Sequence, residues 1–293
     1  MSDWGRVLTA MVTPFDASLR VNYEAVRTLA RYLADNGSDG IVVAGSTGES
    51  ATLDQQEKLR LFETVVETVG DRVRVIAGTG GNNTAETISL TRQAEATGVH
   101  GIMLVAPYYN KPPQDALYEH FKSVAASTRL PVMIYNVPGR TGVNVSADTI
   151  ARLAEIPNVV AVKEASGDLV QIAEIRRRTS AEFRVYSGDD ALTLPILAVG
   201  GHGVVSVASH VAGREIARMI DLWFKGKMQE ASELQLKLLP LFGALFITTN
   251  PIPVKHALKL MGHDVGGLRP PLRPASAKEE SVLVRAMRES GVL

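Results

Sequence analysis

The stretch Val159-Val160-Ala161-Val162-Lys163-Glu164-Ala165-Ser166-Gly167-Asp168 is the best guide to the architecture of the chain. Four apolar or small residues lead directly into a lysine, and a helical pattern begins at Asp168. A run that is apolar on both faces is typical of a strand in a buried parallel sheet. The stretch therefore predicts a strand that ends at Lys163 and is followed by a helix.

Lys163 has two interpretations at this position. A lysine at the end of a buried strand either extends to water or lies desolvated. Desolvation lowers the pKa of the amine and makes it a nucleophile at neutral pH. Solvated lysines at strand ends are common, so the stretch alone favours that simpler interpretation. The choice depends on what the rest of the chain places nearby.

The alternation of an apolar run with an amphipathic segment occurs eight times. Strands are predicted at residues 7–12, 40–45, 73–77, 101–106, 131–135, 159–163, 183–186 and 203–206. Helices are predicted at residues 23–35, 54–69, 84–97, 114–127, 146–155, 168–178, 191–199 and 210–225. The spacing of about 30 residues is that of a βα unit. Eight consecutive units favour an α/β fold of the closed (β/α)8 TIM-barrel type over an open doubly wound sheet.

The pattern changes after the eighth unit. Residues 1–226 are predicted to form the barrel, and residues 227–293 a C-terminal helical extension packed on its flank. Helices in the extension are predicted at residues 228–247, 254–261 and 276–289. The extension is small and depends on its neighbours, so it is not expected to fold as an independent domain. Its apolar content makes a subunit interface a reasonable hypothesis.

Composition excludes several classes of function. Lys plus Arg and Asp plus Glu both number 31 in 293 residues, so neither nucleic acid nor an anionic membrane is an expected partner. The chain has no cysteine, which excludes a disulfide scaffold and a thiolate metal site. We find neither a signal-peptide pattern nor an apolar run of about 20 residues. We therefore expect a cytoplasmic protein.

No metal or dinucleotide site is expected. The six histidines lack metal-ligand spacing, and Asp189 and Asp190 are interpreted as helix N-cap residues. Residues 78–81 (Gly-Thr-Gly-Gly) lack the Gly-x-Gly-x-x-Gly spacing of a dinucleotide loop, so a tight loop at the barrel mouth is favoured there.

Polar side chains follow several of the predicted strands. Catalytic groups in a barrel of this type come from the carboxyl ends of the strands, which meet at one rim. Lys163 would therefore share that rim with the hydroxyls of Ser46, Thr47, Tyr109 and Tyr135. An amine among hydroxyls and phenols suits Schiff-base formation with a carbonyl substrate, with a tyrosine moving protons. This setting favours the nucleophilic interpretation of Lys163.

Two further features of the rim suit a carboxylate. Arg140 lies in residues 138–142 (Pro-Gly-Arg-Thr-Gly), and its planar fork can bind a carboxylate bidentately, although a solvated surface arginine is equally compatible with the sequence. Gly45 and Gly48 flank Ser46 and Thr47, and backbone N–H groups of such a loop can hold an anion.

These residues resemble those of a known family. Residues 45–49 (Gly-Ser-Thr-Gly-Glu), residues 135–138 (Tyr-Asn-Val-Pro) and the lysine of the sixth strand resemble the pyruvate-dependent class I aldolase family that includes N-acetylneuraminate lyase. Residues 107–110, 135–142 and 250–255 resemble more narrowly its dihydrodipicolinate synthase branch. The resemblance covers essentially the whole chain.

The resemblance implies condensation of pyruvate with L-aspartate 4-semialdehyde to 4-hydroxy-tetrahydrodipicolinate, in lysine and diaminopimelate biosynthesis. It implies a lyase without a cofactor other than the covalent lysine Schiff base, and a homotetramer built as a dimer of dimers. Lys163 would form the Schiff base, Tyr135 would be the general acid and base, and Thr47 would relay protons to Tyr109 of a neighbouring subunit. The implied substrate-binding residues are Ser46, Thr47, Arg140, Gly188 and Val205.

The sequence departs from the synthase pattern in two places. Ser46-Thr47 stands where Thr-Thr is usual, and because serine keeps the hydroxyl we expect the relay to survive. In an implied allosteric lysine pocket, Gln55 and Lys58 replace histidine-type residues, and a cation at Lys58 would repel a bound lysine. We therefore expect weak or absent feedback by lysine. The implied pocket comprises Ser50, Ala51, Gln55, Lys58, Asn82, Glu86 and Tyr108.

Two alternative functions remain open at this point. One is a retro-aldol lyase acting on a sugar-derived 2-keto acid, of the neuraminate lyase or 2-keto-3-deoxygluconate aldolase type. The other is a non-catalytic barrel that binds a 2-keto acid. Arg140 favours the synthase, because the second substrate of a sugar-acid lyase presents hydroxyls where Arg140 would bind a carboxylate.

Overall fold

The computed structural model describes residues 4–293 and confirms the predicted (β/α)8 barrel. Eight strands form one closed parallel sheet in chain order, with β1 paired to β8. The strands are β1 (Val7–Ala10), β2 (Gly40–Val43), β3 (Arg74–Gly78), β4 (Gly101–Val105), β5 (Val132–Asn136), β6 (Val159–Glu164), β7 (Arg184–Ser187) and β8 (Gly203–Ser206).

Helices surround the sheet and continue into the C-terminal extension. They are α1 (Tyr23–Asp35), α2 (Gln55–Val69), α3 (Thr84–Ala96), α4 (Gln114–Ala125), α5 (Pro138–Thr141), α6 (Ala147–Leu153), α7 (Leu169–Arg178), α8 (Thr193–Ala198), α9 (Ser209–Phe224), α10 (Met228–Ala244), α11 (Ile252–Leu260) and α12 (Ala277–Glu289). Helix α2 begins with the expected capping box between Asp54 and Glu57. The division proposed at residue 226 falls in the turn between α9 and α10.

Two local features differ from the sequence-based expectation. The segment around Arg140, expected as a loop, contains the short helix α5, because Pro138 fixes a helical φ at its first position. The two adjacent aspartates do not both act as caps. Asp189 accepts a hydrogen bond from the Ala191 N–H, as a cap does, whereas Asp190 is buried and bonds to the end of β8.

The strands are mostly apolar because both of their faces are buried. Successive side chains alternate between the barrel interior and the surrounding helices. Ala161 and Met133 belong to the interior cluster, so the residues two positions later, Lys163 and Tyr135, face the interior as well. Lys163 and Tyr135 are also register partners across the β5–β6 pair. Glu164, one position further, faces the helices.

A buried ion pair attaches the C-terminal extension to the mouth of the barrel. Lys255 Nζ on α11 lies 2.7 Å from Glu49 Oε1, and both side chains are almost completely buried. The backbone N–H of Arg269 donates to the other Glu49 oxygen at 2.9 Å, and the Arg269 guanidinium forms a bidentate pair with Glu57. Glu49 ends the loop that carries Ser46 and Thr47, so the extension directly supports this loop.

Over residues 4–293, none of the helices is long and apolar enough to cross a membrane.

Replacing Lys255 by methionine tests the importance of this ion pair. Lys255→Met leaves the Glu49 carboxylate buried without its counter-ion, and we expect the free energy of unfolding to fall by about 3–5 kcal/mol. Denaturant unfolding measures the change. Lys225→Met is the control, because Lys225 pairs with Asp221 on the exposed surface of α9 and should matter little. Equal losses in both variants would contradict the assigned role.

Candidate active site

Lys163 lies at the carboxyl end of β6, inside the barrel. Its side chain is buried, and Nζ lies 4.1 Å from the centre of the Tyr135 ring. Burial lowers the pKa of Lys163 to about 7; the positive charge of Arg140 acts in the same direction and Asp190 opposes it. Near neutral pH a large fraction of the amine is therefore unprotonated and able to attack a carbonyl carbon.

Tyr135 is the neighbouring phenol on β5. Burial raises its pKa, while Arg140 and a hydrogen bond with the Ser46 hydroxyl oppose the shift. The phenol is therefore protonated at neutral pH and is available as a proton donor. Ser46 and Tyr135 line the same cavity.

Arg140 and Thr47 are joined by Asn250, which follows α10. The Asn250 side-chain N–H donates to Thr47 Oγ1 at 2.9 Å, and its backbone oxygen accepts from Arg140 Nη2 at 3.2 Å. The second bond occupies one of the five N–H donors of the exposed guanidinium, which leaves a fork for a carboxylate. Asn250 thus connects Arg140, the proposed carboxylate-binding residue, to Thr47, the proposed relay residue.

Within residues 4–293, the Tyr109 side chain forms no hydrogen bond with Thr47 of its own chain. Its side chain is 89% exposed, in the loop after β4, and its backbone has a φ of +74°. The backbone N–H donates to Thr141 O at 3.3 Å, which holds the loop beside α5. The relay from Tyr135 through Thr47 to Tyr109 stays a prediction that requires a neighbouring subunit.

Gly188 follows β7, the strand next to β6, and Val205 lies on β8, one strand further round the barrel. Val205 is a buried interior residue of β8. The N–H of Gly188 donates to Glu164 O at 2.7 Å, which holds the loop after β7 against β6. A β-carbon at position 188 would lie 2.7 Å from Ala165 Cβ and 3.1 Å from Lys163 Cε, so glycine is required for Lys163 to keep its position.

A cavity of about 420 Å³ opens at the barrel mouth. Ser46, Tyr135 and Arg140 line one side, and Lys163 lies beyond the Tyr135 ring outside the lining itself. The cavity continues to six of the seven residues of the implied allosteric pocket. These six are Ser50, Ala51, Lys58, Asn82, Glu86 and Tyr108. Gln55 is exposed on α2 and does not line the cavity.

Sequence reasoning missed three residues that support the site. Asn250 was quoted only as part of a motif, and Asp190 was interpreted as a cap. Lys255 also belongs to that motif, at residues 250–255, but the motif does not reveal that this lysine is bonded to the Gly267 oxygen and paired with Glu49. Thr47 and Asn250 are separated by 203 positions, so their spacing carries no signal.

Comparison with known proteins identifies the family. The model of the dihydrodipicolinate synthetase family matches residues 3–290. The chain belongs to this family. It is 55% identical over 290 residues to the 4-hydroxy-tetrahydrodipicolinate synthase of Moorella thermoacetica, with 99% of each chain covered. The resemblance inferred from the sequence is therefore confirmed.

Solved structures of family members agree with the fold. Dihydrodipicolinate synthase from Bacillus anthracis superimposes with a TM-score of 0.96 at 50% identity, covering 98% of this chain and 99% of the other. The Cyanidioschyzon merolae enzyme, solved with lysine bound, gives a TM-score of 0.98 at 51% identity and covers 99% of both chains.

Replacing Gly188 by alanine tests the packing around Lys163. Gly188→Ala pushes a methyl group against Ala165 and Lys163 Cε, and we expect imine formation with pyruvate to fall at least about tenfold as the amine is displaced. Borohydride trapping followed by intact mass measures the rate. Gly243→Ala on the exposed face of α10, where a β-carbon meets nothing within 4 Å, is the control. Unchanged trapping in Gly188→Ala would contradict the inferred crowding.

Proposed function

We propose that the protein condenses pyruvate with L-aspartate 4-semialdehyde to give 4-hydroxy-tetrahydrodipicolinate, as a Schiff-base lyase of lysine and diaminopimelate biosynthesis. The observation that carries the proposal is the buried Lys163 amine above the Tyr135 ring, with Arg140 at the same mouth. The name shared by relatives about 55% identical over almost their whole length supports the same reaction.

The first half of the reaction uses Lys163 and Tyr135. The unprotonated amine attacks the keto carbon of pyruvate, and the carbinolamine loses water to form the imine. The Tyr135 phenol, which burial keeps protonated at neutral pH, supplies the proton that the departing hydroxyl needs. The Tyr135 phenolate that remains then takes a methyl proton, which gives the enamine, the carbon nucleophile.

The second half uses the Arg140 side of the cavity. The enamine attacks the aldehyde carbon of the semialdehyde and forms the new carbon–carbon bond, while the Tyr135 phenol gives its proton to the aldehyde oxygen. Arg140 binds the carboxylate of that substrate with the donors not used by Asn250. The amino group of the product then attacks the imine carbon, closes the ring and releases Lys163. The balance is one water released for each product formed.

We propose that the working form is an oligomer, in which Tyr109 completes the site of a neighbouring subunit. The 89% exposure of Tyr109 supports this arrangement. Large apolar side chains on and after α10, namely Leu236, Leu239, Phe246 and Ile247, are also exposed and offer area for subunit contacts. A dimer of dimers in the cytoplasm is the form we propose.

Borohydride trapping tests the Schiff base directly. Incubation with pyruvate and borohydride should add one reduced pyruvate unit, and peptide mapping should place it on Lys163. Lys163→Met should give no adduct, because it removes the amine. A wild-type protein that forms no adduct on Lys163 would exclude both the synthase and the sugar-acid lyase, leaving the non-catalytic barrel.

Arg140→Ala separates the synthase from a sugar-acid lyase. We expect a fall in kcat/KM for aspartate semialdehyde of about 10²-fold, because one charged hydrogen-bonding partner of the carboxylate is lost. Trapping of pyruvate on Lys163 should persist in this variant. Wild-type turnover of a sugar-derived 2-keto acid, with none of the semialdehyde, would instead identify the lyase.

Lys58 supports the proposal that lysine inhibits weakly or not at all. Its ammonium lines the implied allosteric part of the cavity, and burial lowers its pKa while Asp54 opposes the shift. A bound lysine would bring a second cation close to the first.

Lysine at millimolar concentration should leave the rate nearly unchanged, and Lys58→Gln should increase the inhibition. Arg60→Gln, on the exposed face of the same helix, is the control. A micromolar inhibition constant for the wild type would contradict the proposal.

A further inference from the structure

Asp190 is a fully buried carboxylate with no role in the reaction described above. It follows β7 and begins a 3-10 turn, Asp190–Leu192. One of its oxygens accepts the hydroxyl of Ser206, and the other accepts the N–H groups of Val207 and Ala208, each at 3.0 Å. Asp190 therefore ties the loop after β7 to the end of β8.

These partners suit the ionised form of Asp190. All three point a hydrogen at the carboxylate, which in its charged form is a pure acceptor. The Ser206 hydroxyl oxygen also accepts the N–H of Ser209 at 2.8 Å, so its own hydrogen is directed to Asp190. Burial raises the pKa of Asp190, and the three hydrogen bonds oppose that rise.

The loop that carries Asp190 covers Lys163. β7 pairs with β6 so that Tyr186 lies opposite Lys163, and Gly188 approaches its side chain closely. Asp190 follows Gly188 by two residues, so its buried charge lies near the amine, where its effect is opposite in sign to that of Arg140 on α5.

The other titratable groups around this loop either contact residues other than Lys163 or carry no charge at neutral pH. Asp189 acts on Asp190 within the same turn. Glu164 faces the helices and accepts from Asn136 and Ser166. His210 of α9 contacts Val207 and Val12, and burial lowers its pKa to about 4, so it carries no charge at neutral pH. From α10, the neutral amide of Gln235 bonds to Ala191 O.

We propose that Asp190 is a positioning residue: its buried carboxylate holds the end of β8 and, acting against Arg140, sets the pH above which Lys163 reacts with a 2-keto acid. The inference rests on the proposed role of Lys163 as the nucleophile. A negative charge near the amine stabilises the ammonium form, so its removal frees the amine at lower pH. Asp190 thereby holds the onset of reactivity close to neutrality.

Asp190→Asn removes the charge and keeps the local hydrogen bonds. The amide oxygen can take both backbone N–H groups, and the amide N–H can donate to the Ser206 oxygen. The rate of borohydride-trapped adduct formation with pyruvate is measured against pH. We expect the acid limb of this profile to move to lower pH by about one unit in Asp190→Asn. Arg140→Gln should move it to higher pH.

Asp189→Asn is the matched control. It also removes one negative charge from the same turn, keeps a good capping side chain at that position, and should leave the limb close to that of the wild type. If Asp190→Asn does not fold, the neutral and smaller Asp190→Ser is measured on the same limb.

The outcomes are distinct. A limb that stays in place or moves to higher pH in a folded, neutral variant at position 190 overturns the inference, even if the plateau rate falls, since a purely structural role lowers the plateau alone. An equal shift in Asp189→Asn also overturns it, because the effect would then not belong to Asp190. Absence of any wild-type adduct on Lys163 refutes the proposed function itself, and the inference with it.

Discussion

Exclusion of water from the end of β6 is the constraint on which the rest of the site depends. Burial affects two adjacent residues at this strand end and moves their pKa values in opposite directions. Burial lowers the pKa of Lys163 to about 7 and raises that of Glu164 to about 7, because a desolvated site disfavours either charge. The strand alternation sends the first into the barrel and the second toward the helices. A reactive amine thus follows from where the strand ends within a closed sheet.

The groups around that amine come from distant parts of the chain. Ser46 and Thr47 follow β2, Tyr135 ends β5, and Arg140 lies on α5. Asn250, beyond the barrel, bonds to both Thr47 and Arg140. The geometry of the mouth therefore depends on the C-terminal extension as well as on the strands. The Glu49–Lys255 pair reinforces this dependence at the end of the same loop.

The barrel and the positions of its polar strand ends could be predicted from the sequence. Hydrophobic periodicity is a local signal, and the rule that strand ends meet at one rim then places Lys163 and Tyr135 together. The supporting contacts could not be predicted in this way. In the sequence, Asp190 resembles a second capping residue, because its contacts with the end of β8 exist only in the folded barrel. The contact between Asn250 and Thr47 likewise exists only in the folded chain. Such contacts depend on tertiary packing, which leaves no periodic trace in a single sequence.

The buried pair between Glu49 and Lys255 also has a consequence for the synthesis of the protein. Glu49 leaves the ribosome early, whereas Lys255 and Arg269 belong to the last part of the chain to emerge. Until they arrive, the Glu49 carboxylate cannot lie dry beneath the Ser46–Thr47 loop, and the mouth of the barrel lacks one wall. A nascent chain with all eight strands therefore still lacks the contacts that Lys255 and Arg269 make with Glu49. We therefore expect catalytic competence only near the end of translation.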